Sequence, residues 1–218
     1  MTDGEPLLAE RTEQPDGVPA RLAEQLRFVV EVDRLKTVLR RSPLIADERR
    51  ENDAEHSWHL ALMVLVLAEY TDEPIDLART LKLVLVHDLV EIYAGDTFVY
   101  DPAAVAGQAE REERAADRLF PLLPPDQATE FRALWDEFES RRTPEARFAK
   151  AMDRLQPMLA SFHNAGGTWR SPGVTDADVR DRCSVIADGS AELWDYAGRL
   201  IELGASRGWV ARAEGSGG

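Results

Sequence analysis

A single cysteine in 218 residues, Cys183, excludes an internal disulfide framework. Lysine is almost as scarce. Lys36, Lys82 and Lys150 are the only lysines among 26 basic residues, which face 40 acidic ones for a net charge of −14. A protein that binds a nucleic-acid polymer usually carries a basic stripe, because phosphate contacts dominate that affinity. None is visible, so long DNA or RNA is not an expected partner. A small phosphate ester remains open, since a bound cation and one or two local arginines outweigh the global field at short range. No basic-then-apolar leader opens the sequence, and the apolar runs at 60–68 and 83–86 are too short to span a bilayer. The expected location is cytoplasmic, with no membrane partner.

What is present reads as helix. The apolar fraction is 44% and the charged fraction 30%, ordinary for a soluble globular chain. Residues 1–19, rich in Glu, Pro, Gly and Thr, read as a mobile arm, residues 20–211 as one domain, and 212–218 as a loose tail. A first helix is expected over about 20–41, with Leu22, Leu26, Val29 and Val30 on one side. A second runs over about 54–70; its stretch Leu60 to Ala68 is apolar on every side, which predicts a central, buried helix. A third runs from about Asp76 to Ala94, with Gly95 past its end. After a loop at about 97–107 come a charged helix near 108–120 and one carrying Phe131, Leu134, Trp135 and Phe138. Thr143-Pro144-Glu145 then starts a helix with Phe148, Met152, Leu155, Leu159 and Phe162 in a stripe. Two more follow, near 175–188 and 190–206. No strand is predicted. The fold class is all-α, a single-domain bundle of about seven to nine helices.

Chemistry concentrates in three segments. In His87-Asp88-Leu89-Val90-Glu91, the three polar side chains share one face of a helix, because Glu91 lies four residues after His87 and three after Asp88. The neighbouring Leu and Val suggest burial, and buried charge is costly unless it is paired or metal-bound. Glu55-His56-Ser57-Trp58-His59 opens the most apolar helix. Asp153 lies beside an apolar stripe, four residues before Pro157. Proline has no N–H, so the Asp153 carbonyl loses its helical partner, and the helix should bend or loosen there.

The order His56, His87-Asp88, Asp153 resembles the HD superfamily of metal-dependent phosphohydrolases. Arg34-Leu35-Lys36 with Arg40, the run from Arg50 to Ser57, His87 to Glu91, Gly95-Asp96 and Asp153 to Pro157 look like its 5′-deoxynucleotidase group, over roughly 30–209. The resemblance implies that His56, His87, Asp88 and Asp153 hold one divalent ion, with Mn, Co, Fe, Zn and Mg all admissible. Glu91 would hydrogen-bond the attacking water or pass a proton, and Asp96 would be a second carboxylate near that water. Arg40 would grip the 5′-phosphate of a (deoxy)nucleoside 5′-monophosphate, helped by Lys36. A homodimer is also implied. In some members an aromatic residue follows the arginine that matches Arg40. Here Arg41 stands there, which suggests contact with a second phosphate or another acidic group. Other HD-like phosphatase substrates, a di-iron oxygenase on the same scaffold and a non-enzymatic nucleotide-binding module are the alternatives. A supply of four histidines argues against the di-iron reading. His59 is expected to pack beside the site and His163 to sit at a helix end. Trp135, Trp169, Trp194 and Trp209 are expected to anchor the core or an interface.

Overall fold

In the computed structural model, which describes Leu8 and residues 14–213, the first helix is shorter than its pattern suggests. α1 spans Ala20–Val32, and a 3₁₀ turn carries the chain to Thr37. The residues expected to finish the helix form a strand instead, β1 (Leu39–Pro43), which pairs antiparallel with β2 (Arg50–Asn52). Pro43 supplies the reason: it has no N–H for a helix and forces Ser42 toward extended geometry. The strand alternation then turns Arg40 and Ser42 inward and leaves Leu39 and Arg41 exposed. The expectation of no strand is therefore corrected by one small hairpin in an otherwise helical chain. The mobile arm and loose tail expected at the two ends fall mostly outside the described residues.

The remaining helices are α2 (Asp53–Leu67), α3 (Leu77–Val86), α4 (Glu91–Ala94), α5 (Pro102–Val105), α6 (Gln108–Leu119), α7 (Pro125–Ser140), α8 (Pro144–His163), α9 (Asp176–Cys183) and α10 (Ala191–Ser206). The one-turn α5 lies inside the stretch expected to be loop. Side-chain caps fix several starts: Asn52 for α2, Asp76 for α3, Thr143 for α8 and Ser190 for α10.

The central element is α8, not α2. Eleven residues of α8 are buried, against six of α2. α8 packs on α2, α3, α7, α9 and α10. It remains helical on both sides of Pro157, so the expected loosening does not interrupt it. α2 buries Leu60, Met63 and Val64 but exposes Trp58 (65%), Leu62, Leu65 and Val66 (60%). It is apolar all round because both faces are apolar, while only one meets the core. Leu22, Leu26 and Val29 of α1 likewise face outward, and Phe28 is the apolar residue that α1 buries. Among the described residues, no helix is long and apolar enough to cross a membrane.

Candidate metal centre and its cavities

Three elements bring the candidate ligands together. His56 lies in the first turns of α2, whose start is locked by a capping box between Asn52 and Glu55. His87 and Asp88 do not continue α3 as a regular α-helix. They occupy a 3₁₀ turn, His87–Val90, between α3 and α4. Asp153 comes from the middle of α8. All four are buried. Asp153 Oδ1 lies 3.2 Å from His56 Nε2 and 3.8 Å from His87 Nε2. Asp88 Oδ1 is 3.0 Å from His87 Nε2, and Asp88 Oδ2 is 3.9 Å from His56 Nε2.

The outer hydrogen bonds fix which imidazole nitrogen faces inward. His87 Nδ1 lies 2.9 Å from the Val84 carbonyl and so donates to it. That leaves His87 Nε2 as a buried lone pair with no hydrogen-bond partner. His56 Nδ1 lies 3.1 Å from Gln156 Oε1, and the Gln156 amide donates to Glu51 Oε1 at 2.8 Å. The chain Glu51–Gln156–His56 orients the second ring in the same sense, as outer partners do at imidazole metal sites. The inward nitrogens of both rings thus face two carboxylates, an arrangement that a proton or a metal cation between them satisfies. Burial and Arg40 oppose charging of His56, yet Asp153, Glu51 and Asp88 outweigh them and raise its pKa. Burial also works against ionisation of Asp88 and Asp153, but His87 and Arg40 hold Asp88 low, and Lys150 and Arg154 hold Asp153 low. Both stay ionised, as ligands must. The donor set fits one divalent ion.

Beside this set lies a second acidic group, Asp53, Glu91 and Asp96, whose carboxylate oxygens come within 4.8 Å of one another. Asp53 and Glu91 are fully or nearly buried, and Asp53 Oδ2 and Glu91 Oε2 have no donor unless a proton lies between them. Burial, reinforced by Asp88 and Asp53, pushes Glu91 well above the ordinary carboxyl range. Burial and Asp88 raise Asp53 to about 6. Burial also raises Asp96. A proton shared between Glu91 and Asp53 would partner these two oxygens.

Arg40 reaches the site from β1. Its Nη1 donates to Asp53 Oδ1 at 3.1 Å and to Asp88 Oδ2 at 3.0 Å, and its Nε is buried without a hydrogen bond. Lys36 does not join it. The 3₁₀ turn before β1 directs Lys36 to Asp33, three residues earlier, on the exposed surface. Arg41 is exposed, with its guanidinium 5.8 Å from the Phe98 ring centre. His59 touches Gln156 at 3.4 Å and belongs to neither acidic cluster, so the di-iron reading gains no further imidazole.

Four participants carried no role in the sequence reading. Glu51 and Gln156 orient His56, and Asp53 shares the Glu91 proton. Lys150 places its ammonium 3.2 Å from Asp153 Oδ2 and 4.5 Å from the Phe138 ring centre. A spacing signal existed: 150, 153 and 156 share one face of α8, as 53 and 56 do on α2. The site opens into a cavity of about 460 Å³. Lys150, Arg154 and Arg182 line it, together with Trp135 and Phe138. A smaller cavity of about 60 Å³ adjoins it across Arg40, Asp96 and Thr97.

Two outcomes follow. Gln156→Leu should weaken divalent-metal affinity by about 10–100-fold with the fold retained, read by calorimetric titration and circular dichroism; unchanged affinity would show that Gln156 does not orient His56. The Asp53 pKa, raised from 3.8 to about 6, makes the metal-free chain lose stability as pH climbs through that window. The loss is about 3 kcal/mol at most. Asp53→Asn should flatten this part of the stability profile, measured by urea unfolding at pH 4 to 7. An identical profile would contradict the assignment.

Comparison with known proteins agrees with this geometry. A family model described as HD domain matches residues 32–194. The 5′-deoxynucleotidase HDDC2 of Mus musculus is 33% identical over 135 residues, 62% of this chain and 66% of that protein. The chain thus spans just under two thirds of the length of that curated relative. The 5′-deoxynucleotidase hdd1 of Schizosaccharomyces pombe is 30% identical over 184 residues, 82% of this chain and 83% of its own. A crystal structure from Magnetospirillum magnetotacticum, described as a predicted metal-dependent phosphohydrolase, is 53% identical with a TM-score of 0.84, covering 88% of this chain and 96% of that one. With its four buried candidate ligands on α2, the His87–Val90 turn and α8, the chain belongs to the HD-domain family.

Proposed function

We propose that this chain is a metal-dependent phosphohydrolase that removes the 5′-phosphate from (deoxy)nucleoside 5′-monophosphates. The observation that carries the reading is the convergence of the inward nitrogens of His56 and His87 on Asp88 and Asp153, with His87, Asp88 and Asp153 lining a cavity of about 460 Å³. That volume is in the range for a small-molecule site. One divalent ion (Mn, Co, Fe, Zn or Mg) held by His56, His87, Asp88 and Asp153 would acidify a water and offset charge on the phosphoryl oxygens.

The other residues supply the rest. Asp96, at the cavity edge, accepts a hydrogen bond from the attacking water. Glu91 carries a proton and passes it to the departing 5′-oxygen as the P–O bond breaks. Arg40 uses one nitrogen to hold Asp53 and Asp88, and its remaining donors are available to the 5′-phosphate. Lys150 and Arg154, already beside Asp153, add positive charge on the cavity side. The likeness to the 5′-deoxynucleotidases supports the substrate class.

The apolar outer face of α2 supports a homodimer. Trp58, Leu62, Leu65 and Val66 recur at helical spacing and are all exposed. A second copy of the chain brings the same apolar surface and no charge to be desolvated. The cytoplasm, where a lone thiol such as Cys183 stays reduced, is the compartment we assign.

With Mn or Co, purified protein should release phosphate from AMP or dAMP, and His87→Ala or Asp88→Ala should abolish release; activity that survives both substitutions contradicts the assignment. Glu91→Gln should lower kcat by about 100–10,000-fold while metal per chain, measured by plasma emission, stays the same as in the parent. The same analysis reads one equivalent for a single ion. Leu62→Glu with Leu65→Glu should convert a dimer to a folded monomer in light scattering. A parent that is already monomeric overturns the dimer.

A further inference from the structure

Resting on the phosphohydrolase reading above, we propose that the small cavity beside the metal centre is a second-phosphate site, so that the preferred substrates carry a phosphate on the sugar in addition to the 5′-phosphate.

The charge of this cavity runs against the charge of the chain. Four arginines line it, Arg40, Arg41, Arg154 and Arg182, against one acidic residue, Asp96, in a protein with 40 acidic and 26 basic residues. Arg40 gives Nη1 to Asp53 and Asp88 and faces the metal centre, where the 5′-phosphate lies. The other three come from three separate elements, β1, α8 and α9. Arg154 lies 3.7 Å from Asp153 Oδ2, beside the metal site. Arg41 rests over Phe98. Among the described residues, no carboxylate comes within 4 Å of the Arg41 or Arg182 guanidinium; Asp178, one turn before Arg182 on α9, feels its charge from farther off. Four arginines against one carboxylate leave the cavity an excess of positive charge that suits an anion.

The small cavity, about 60 Å³, has room for one phosphate group. The base has room in the larger cavity, against Trp135 and Phe138. Arg154 and Arg182 line both spaces, so a group on the sugar can enter the small cavity while the 5′-phosphate lies at the metal centre. Several guanidinium forks from different directions suit a tetrahedral dianion better than a planar carboxylate. The reaction is unchanged: the water oxygen bonds to the 5′-phosphorus, the P–O5′ bond breaks, the leaving oxygen takes a proton, and the sugar phosphate remains on the product.

The test compares deoxyadenosine 3′,5′-bisphosphate with dAMP on the Mn-loaded full chain. The bisphosphate should show a kcat/KM about tenfold higher or more, mainly through KM, with phosphorus NMR showing loss of the 5′-phosphate. Arg41→Ala and Arg182→Ala, both exposed positions, should each lower the bisphosphate-to-dAMP ratio by about tenfold. Equal kcat/KM for the two substrates, or a ratio unchanged in both variants, overturns the second-phosphate site while leaving the phosphohydrolase intact. If neither substrate releases phosphate, the hydrolytic reading is the one that fails. Calorimetry then decides the site alone: tighter binding of the bisphosphate than of dAMP upholds it, and equal binding overturns it.

Discussion

Negative charge cannot be buried in a helical core without something to hold it, and this fold buries a large amount. Glu51, Asp53, Asp88, Glu91 and Asp153 are all inaccessible or nearly so. The cations among them are Arg40, Lys150 and Arg154. Isolated ionised carboxylates in such surroundings either neutralise or find a counter-charge. The site does both. Burial and the neighbouring carboxylates push Glu91 toward its neutral form, whereas Asp88 and Asp153 are held toward the ionised form beside the inward imidazole nitrogens. The two halves differ because of what surrounds them: Asp153 has Lys150, Arg154 and two histidines, whereas Glu91 has Asp53 and Asp88.

Much of the surrounding structure serves this arrangement. α8 is the most buried helix and presents Lys150, Asp153 and Gln156 one turn apart, so ligand, counter-charge and outer partner move as a unit. The hairpin delivers Arg40 into the acidic cluster. The 3₁₀ turn at His87–Val90 lets the His87 ring bond back to Val84 and project its other nitrogen inward. A polar network of this kind is stable only when every member is satisfied. Among its orphans, His87 Nε2, Asp53 Oδ2 and Glu91 Oε2 lie where a metal ion, a proton or a substrate would enter.

Features that depend on residues close in sequence were legible: the helix starts at Thr143 and Asp76, the shared face of His87, Asp88 and Glu91, and the all-helical class. Features set by distant packing were not. The strand at Leu39–Pro43 continues a helical apolar pattern, and only the partner Arg50–Asn52 and Pro43 make it extended. The apolar circumference of α2 has two explanations, burial or an interface, and hydrophobicity does not distinguish them. Lys36 looked suited to phosphate by proximity to Arg40, but the turn geometry hands it to Asp33. Gln156 and Glu51 act through a hydrogen bond spanning 105 positions, which no local window contains.

The central claim, that His56, His87, Asp88 and Asp153 jointly hold a divalent cation, is tested most directly by anomalous X-ray scattering from a crystal soaked in Mn. A single strong peak bounded by His56 Nε2, His87 Nε2 and the carboxylates of Asp88 and Asp153 is the expected result. Density without an anomalous peak there, or Mn bound only at surface carboxylates, would contradict it.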